Sequence, residues 1–231
     1  MKKLKGFTLT EVLITITMIG IIASMTLPAL NNNVQRQQAG PALMKAINSL
    51  ESANKAAIQD NGVRHLAEIN GLSDSWHYLQ SVLARYANTS MVPFPENGYV
   101  GMAELEEGQS EIGLVFATQD GLTYFGIPDR NGLGIADGGL SDSQIGQFYT
   151  VYVDVNGSAK GPNIMGRDLF VLIVDSSGEV LPKGSSGWAT YIGGENQSWE
   201  TTCTNLSENN QDPSNCAGSI AENNGRIIYK F

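Results

Sequence analysis

The chain has 231 residues, which is enough for one globular domain together with an extended element. Its formal net charge is −9, and an acidic surface of this kind repels phosphate backbones, which argues against general nucleic-acid binding. Two histidines and two cysteines are a small inventory for catalysis. The sequence contains no HExxH, GxSxG, GxxxxGK[ST] or CxxC motif, so we expect a protein that is not an enzyme.

An uncharged apolar segment follows a basic N-terminus. Three lysines, Lys2, Lys3 and Lys5, precede it, and the first charge after it is Arg36. Residues 12–30 carry no charge, and a helix of 19 residues spans roughly 28 Å, close to the ~30 Å hydrocarbon core of a bilayer. The lysines are expected to stay in the cytoplasm while the rest of the chain crosses the membrane.

Three interpretations of this segment are possible, and they differ in how they account for Glu11. A secretory signal peptide has a shorter apolar core, followed by a small-residue cleavage site. A plain single-pass anchor explains the length but not Glu11, because a carboxylate inside an apolar segment costs about 2.5–3.5 kcal/mol on insertion scales. The segment that follows offers no basic partner. A third interpretation must therefore supply a cation from elsewhere.

The segment Lys5-Gly6-Phe7-Thr8-Leu9-Thr10-Glu11 resembles the cleavage and methylation site of type IV prepilins and pseudopilins. The resemblance implies that a membrane peptidase cuts after Gly6 and that the new N-terminal residue, Phe7, is N-methylated. It also implies that Glu11 pairs with the charged amine of a neighbouring subunit. A carboxylate in the first turns of a helix is favoured by the helix dipole as well. Pro28 stands where pilins often carry a helix-bending proline.

Helical periodicity continues beyond the apolar segment. The apolar positions fall near a spacing of 3.6 and predict an amphipathic helix that ends near Asn61-Gly62. They are Leu43, Ala46, Ile47, Leu50, Ala53, Ala57 and Ile58. Gly40-Pro41 is expected to break or kink the path. The pattern therefore predicts one long, bent helix from Phe7 to about Asp60, apolar all round in its first half.

Farther along the chain, the pattern changes to short strands. A second helix is predicted from Trp76 to Tyr86, and Asp120-Gly121 is typical of a β-hairpin turn. The predicted strands are 112–117, 122–127, 148–155, 169–174 and 179–181. An antiparallel sheet of four or so strands with one buried face needs a cover, which the amphipathic half of the long helix supplies. The fold class is therefore α+β and pilin-like, with residues 183–198 as a surface loop.

Two groups of residues could carry chemistry. Asp154, Asn156 and Asp168 supply oxygen ligands in a glycine-bearing connection between two strands, and Asp154 and Asn156 alternate as at the start of a calcium loop. The remaining positions of an EF-hand are missing. The alternative is a tight connection in which Asp and Asn bond their own backbone. The sequence gives no other indication of a cofactor.

Cys203 and Cys216 form the second group. An even number of cysteines in an exported chain argues for a disulfide, and pilins commonly close a C-terminal loop in this way. The alternatives are two free buried thiols or, less well supported because no histidine is near in sequence, a zinc site. A disulfide closing a loop of this size stabilises by about 3 kcal/mol in the chain-entropy model.

These observations predict a structural filament subunit with three regions. Residues 1–6 are a leader peptide, residues 7–30 a transmembrane and assembly helix, and residues 31–231 an extracytoplasmic α+β domain. The resemblance implies as partners other pilin-like subunits, the prepilin peptidase and methylase, and a membrane assembly platform. It implies insertion in the inner membrane as a single pass, then a periplasmic or cell-surface filament. The alternative is a membrane-tethered binding protein or adhesin with a pilin-type anchor.

Overall fold

The computed structural model describes residues 8–72, 74–94, 98–99, 114–126, 148–192, 198–208 and 211–230. The chain divides into two units, Met1–Gln38 and Ala39–Phe231. An N-terminal apolar helix is followed by shorter helices and an antiparallel six-stranded sheet. This is an α+β arrangement consistent with the pilin-like fold that the sequence predicts.

Helix α1 spans Leu9–Asn61, so its predicted end is confirmed. Of the expected break or kink at Gly40-Pro41, the break does not occur, since α1 continues through this pair although Pro41 cannot donate a backbone hydrogen bond. Ala39 and Leu43 are buried on either side of this pair, and their packing holds the helix together. Gly40 has a different role, since a Cβ atom there would collide with the carbonyl of Gly225. The glycine therefore allows two backbones to touch.

The amphipathic stripe of α1 packs as the periodicity predicts. Leu43, Ala46, Leu50 and the other predicted apolar positions are buried, except Ile58, which is partly buried. Polar residues of the opposite face such as Asn48 and Lys55 are exposed. One polar residue, Asn54, is buried and donates to the carbonyl of Gly178. Burial of the apolar stripe stabilises this half of the helix.

The predicted second helix is present as three consecutive helical pieces. They are α2 (Ser75–Tyr78), a π-helical turn (Leu79–Leu83) and α3 (Ala84–Tyr86). A short 3₁₀ turn, Leu66–Glu68, precedes them. Asp74 caps α2 by accepting a hydrogen bond from the backbone N–H of His77.

Six strands form one antiparallel meander in the order β1-β2-β3-β4-β5-β6. The strands are β1 (Thr89–Pro93), β2 (Leu114–Thr118), β3 (Thr123–Phe125), β4 (Phe148–Asp154), β5 (Leu169–Asp175) and β6 (Val180–Pro182). The predicted hairpin at Asp120-Gly121 joins β2 to β3, with Gly121 in the left-handed region at φ 94°. Strand β1 was not expected from the sequence. The strands at the two edges both end in proline, Pro93 and Pro182.

Both faces of the sheet are buried, so the expectation of a single buried face is wrong. On one face Tyr149, Val151 and Val153 pack with the amphipathic stripe of α1. On the other face Phe148 and Tyr152 belong to a second apolar cluster. The other fully enclosed members of that cluster include Val115, Phe125, Leu169, Ile173 and Trp188. Strands β4 and β5 are buried at every position because they lie between the two clusters.

The segment 183–198, expected as a surface loop, contains helix α4 (Ser186–Ile192). Trp188 on this helix is completely buried and meets Phe148 edge to face, with ring centroids 6.3 Å apart. The C-terminal part adds α5 (Trp199–Thr202), a 3₁₀ turn (Pro213–Asn215) and α6 (Cys216–Glu222). The glycine- and serine-rich composition of this segment gave no indication that Trp188 is buried.

Candidate functional site

The N-terminal unit carries a segment suited to a membrane. Residues Leu9–Thr26 form one helix that is long and apolar enough to cross a bilayer, by length and composition. Its large apolar side chains, such as Leu13, Ile16 and Ile19, are exposed. Glu11 is the only charged residue between Phe7 and Gln35. The segment therefore fits the predicted single-pass anchor.

Four hydroxyl groups of this segment bond to backbone carbonyls of the helix itself. Thr15 donates to the carbonyl of Val12 at 2.9 Å, and Thr17 donates to that of Leu13 at 2.8 Å. Ser24 and Thr26 donate in the same way to carbonyls three or four residues earlier. In hydrocarbon an unpaired hydroxyl is costly, because no water is there to satisfy it. These polar residues are therefore compatible with a lipid-facing helix.

Glu11 takes part in a capping box at the start of α1. Its Oε2 accepts hydrogen bonds from the backbone N–H and the hydroxyl of Thr8, both at 2.8 Å. In return, the Thr8 hydroxyl accepts from the backbone N–H of Glu11 at 3.3 Å. This reciprocal pairing satisfies two of the N–H groups that a helix leaves unpaired at its N-terminus. Within the single subunit, Glu11 thus stabilises the helix start.

The two residues of the predicted cleavage site, Gly6 and Phe7, lie outside the described residues. The backbone of Pro28 lies within α1, so this proline does not end the helix. Processing after Gly6 and methylation of Phe7 stay predictions. In the capping box the Glu11 carboxylate accepts a hydrogen bond from Thr8. Thr8 directly follows Phe7, whose amine cleavage would create.

Asp154, Asn156 and Asp168, the predicted oxygen ligands, lie at the connection between β4 and β5, and their role as calcium ligands stays a prediction. Oδ1 of Asp154 accepts from the backbone N–H groups of Asn156 and Gly157, at 3.1 and 3.0 Å. Oδ1 of Asp168 accepts from the N–H of Ile164 at 2.7 Å. The side-chain amide of Asn156 donates to Oδ2 of Asp168 at 3.1 Å. These bonds to the loop's own backbone are those of the tight-connection alternative.

Both carboxyl groups of this connection are buried. Asp154 is fully enclosed and Asp168 is 4% exposed. Burial raises the pKa of Asp154 to about 7, and burial likewise raises the pKa of Asp168. Tyr99 donates its hydroxyl to Oδ2 of Asp154 at 3.1 Å. Within the described part of the chain, no group of three or more His, Cys, Asp or Glu residues is placed to hold a metal ion.

The C-terminal disulfide that the sequence predicts is present. Cys203 and Cys216 are bonded, with Cα atoms 5.3 Å apart, and both are completely buried. Next to the disulfide, the side-chain amide of Asn215 donates to the hydroxyl of Thr202 at 2.8 Å. The bridge therefore joins α5 to α6 inside the apolar core.

Two features of these sites were missed in the sequence. Thr8-x-x-Glu11 has the spacing of a capping box, and this spacing is the signal from which the capping box could have been predicted. Tyr99 could not have been found, because 55 residues separate it from Asp154 and no local pattern connects them.

Comparison with known proteins matches one family model, the prokaryotic N-terminal methylation motif, over residues 1–27. The match covers the lysines, Gly6, Phe7 and most of the apolar segment. No solved structure matches the chain. Together with the single apolar helix near the N-terminus, the motif indicates a single-pass membrane anchor. The chain therefore carries over residues 1–27 the N-terminal methylation motif that is the signature of type IV pilins and pseudopilins.

Proposed function

We propose that the chain is a structural subunit, a pilin or pseudopilin, of a type IV pilus-like or type II secretion filament. The observation that supports this most is Glu11, the single charge in an otherwise apolar helix that carries the methylation motif. The motif implies assembly with other pilin subunits and recognition by the prepilin peptidase. It indicates a structural role for the protein rather than an enzymatic one.

The proposed processing turns the precursor into a subunit that can assemble. Cleavage after Gly6 removes the three lysines of the leader and creates an amine at Phe7, where the apolar helix begins. The charged amine then needs an anion in its surroundings, because an isolated charge in a low-dielectric medium is costly. Glu11 of an adjacent subunit supplies that anion. The mature chain stays inserted until it joins a periplasmic or cell-surface filament through a membrane assembly platform.

The alternative, a membrane-tethered binding protein or adhesin, needs only the apolar length of the anchor. It makes no use of a carboxylate at position 11. The two functions therefore differ in what happens when Glu11 is changed, and they agree on insertion in the membrane.

Intact mass spectrometry of the protein from native membranes tests the processing. We expect a chain that starts at Phe7 and carries one methyl group on its amine. A Gly6→Val variant is expected to keep its leader and to be missing from filaments sheared off the cell surface. An unprocessed wild-type chain starting at Met1, or a cut after Ala29, would contradict the proposal.

A further inference from the structure

A polar cavity lies between α1, the start of β1 and the hairpin that joins β2 to β3. Its volume is about 320 Å³, at the lower end of the roughly 300–1,000 Å³ that ligand pockets occupy. Two apolar residues, Ala87 and Leu122, line it. The polar residues that line it are Lys45, Ser49, Asn88, Thr118, Gln119 and Asp120. The cavity therefore offers many hydrogen-bonding groups together with some apolar contact.

The two charges that line this cavity neutralise each other. Nζ of Lys45 pairs with Oδ2 of Asp120, and neither side chain is buried. Hydrogen bonds from Lys45 and Thr118 hold the pKa of Asp120 below its ordinary value, so the carboxylate stays ionised and paired at neutral pH. The lining residues thus have no excess charge that would select an ionic ligand.

A buried hydroxyl without a partner lies next to the cavity. Tyr124 is completely buried, and its hydroxyl has no hydrogen-bond partner in the described part of the chain. Burial raises the pKa of this phenol, the neighbouring Ser49 side chain lowers it, and the charge of Asp120 raises it further. The hydroxyl is therefore close to two residues that line the cavity. A buried polar group left unpaired is unfavourable, so this one requires a reason.

Thr89 repeats this arrangement on β1. Its Oγ1 is enclosed and has no partner among the described residues. Thr89 lies opposite Thr118, and Phe116, two residues before Thr118, lies opposite Tyr124. Opposite residues, and residues two apart on a strand, share one face of a sheet. The two unpaired hydroxyls therefore lie on the same face as Thr118, which lines the cavity.

We propose that this cavity binds one ring of a neutral sugar. Sugar hydroxyls both donate and accept, which complements the amides of Asn88 and Gln119 and the carboxylate of Asp120. The C–H faces of the ring can pack on Leu122. Displacement of the partly exposed Ser49 side chain gives a sugar hydroxyl access to the phenol of Tyr124. The site is compatible with the filament subunit and with the tethered binding protein alike, so it does not rest on the proposed function.

Saturation-transfer NMR on the full-length chain tests the site, in micelles of a detergent that has no sugar headgroup. The probes are glucose, galactose, mannose and N-acetylglucosamine, each at millimolar concentration. At least one is expected to receive magnetisation from the protein and to raise its melting temperature. No transfer to any of the four, together with an unchanged melting temperature, would overturn the proposal.

Two further probes define the ligand class. Glucuronic acid should bind no better than glucose, because Lys45 is already paired with Asp120. Clearly tighter binding of glucuronic acid would indicate an anion site and overturn the proposal. The methyl glycoside of the bound sugar separates two sources of the same chemistry. If it binds as well as the free sugar, the site takes a unit of a glycan chain, and if it does not, the site takes a free sugar; both results support a sugar site.

Tyr124→Phe removes only the phenol hydroxyl. Because no described protein group bonds to this hydroxyl, the melting temperature without sugar should stay the same or rise, while sugar affinity should fall at least about fivefold. Tyr149→Phe is the control, since Tyr149 lies on the same face and donates its hydroxyl to the carbonyl of Leu72 at 3.1 Å. This variant should lower the melting temperature and keep sugar affinity within about twofold. Unchanged affinity in Tyr124→Phe would overturn the proposal.

A second pair of variants tests the approach from α1. Ser49→Leu places a larger apolar side chain beside Tyr124 and should abolish sugar binding. Ser52→Leu is the matched control, because Ser52 is exposed on the same helix and does not line the cavity. Circular dichroism checks that both variants fold. Sugar binding that is retained in Ser49→Leu, or lost equally in both variants, would overturn the proposal.

Discussion

Glu11 has one observed role and one proposed role. In the single subunit its carboxylate accepts two hydrogen bonds from Thr8. In a filament the same carboxylate is proposed to pair with the Phe7 amine of a neighbour. Glutamine can fulfil the first role, because a capping box accepts Glu or Gln, but it cannot fulfil the second. The two roles are therefore separable by substitution.

We expect Glu11→Gln and Glu11→Val to be inserted and cleaved but not incorporated into filaments. Both leave the Phe7 amine of a neighbour without an anion, and loss of one member of a buried ion pair costs about 3–5 kcal/mol. Thr8→Ala, which loses the capping hydroxyl but keeps the carboxylate, should still assemble. The measurement is the amount of each protein in the sheared and sedimented surface fraction.

The decisive result is that of Glu11→Gln. If this variant assembles as well as wild type while Glu11→Val does not, the carboxylate matters for capping alone. Normal assembly of both variants would mean that the carboxylate is not an assembly contact. Absence of the wild-type protein from the sheared fraction would favour the tethered binding protein over the filament subunit. The cytoplasmic membrane fraction of the same cells serves as the control for expression and insertion.

At the site, sequence reasoning identified the residues that are near each other in the chain. Asp154, Asn156 and Asp168 fall within one connection, so their spacing alone suggested that they meet. It did not show that Asn163 is enclosed with an unpaired oxygen, although this residue stands in the same segment. Burial of a polar atom depends on the strands around it, and this information is not local.

At the scale of the secondary-structure elements, the disulfide leads to a prediction for the stability of the C-terminal helices. Replacing Cys203 and Cys216 by serine should lower the free energy of unfolding by about 3 kcal/mol, since the bridge limits the unfolded chain. Hydrogen exchange should quicken first in Cys216–Glu222, while the buried stripe of α1 stays protected. Urea denaturation and amide exchange measure the two effects.

The state of the thiols in the exported protein is the corresponding check. Peptide mapping without reductant should recover the Cys203 and Cys216 peptides as one linked species. Recovery of two freely alkylated thiols from protein outside the cytoplasm would contradict the prediction. Reduced wild-type protein is the natural control, because it lacks the bridge but keeps both sulfur atoms.

Elements with a regular period could be predicted, and those that depend on distant packing could not. The stripe of α1 and the hairpin at Asp120-Gly121 follow from spacing and turn chemistry alone. The second buried face of the sheet could not be predicted, because nothing near Phe148 in the sequence shows that the distant Trp188 packs on it. Helix α4 was not predicted, because its residues have a weak helix propensity. The helix is stabilised by the burial of Trp188, which does not show in the local sequence.

On the scale of the whole molecule, the two apolar clusters share strands β4 and β5 and should unfold together. Trp188→Ala removes the largest side chain of the second cluster and is expected to cost about 3–5 kcal/mol. Because the strands are shared, one cooperative transition should remain. Trp76→Ala is the matched change on the other face, where the half-buried indole packs on Phe116 at 5.1 Å. Trp76→Ala should lower the free energy of unfolding by less than Trp188→Ala does.

Urea denaturation followed by far-ultraviolet and near-ultraviolet circular dichroism measures both variants. Coincident transitions at lower urea are expected for Trp188→Ala. A loss of less than about 1 kcal/mol would mean that the second cluster adds little to stability. Separate transitions for the two signals would mean that the two faces fold independently.

The prolines that end β1 and β6 bear on whether the sheets of neighbouring molecules pair with each other. Strands at the edge of a sheet invite pairing with another chain, which leads to aggregates, and proline on an edge is one way of preventing it. Lys183, next to Pro182, donates its N–H to Val171 of β5, so the missing N–H of Pro182 falls on the outer side. Pairing of the β6 edge with the sheet of another copy of this chain is thereby disfavoured.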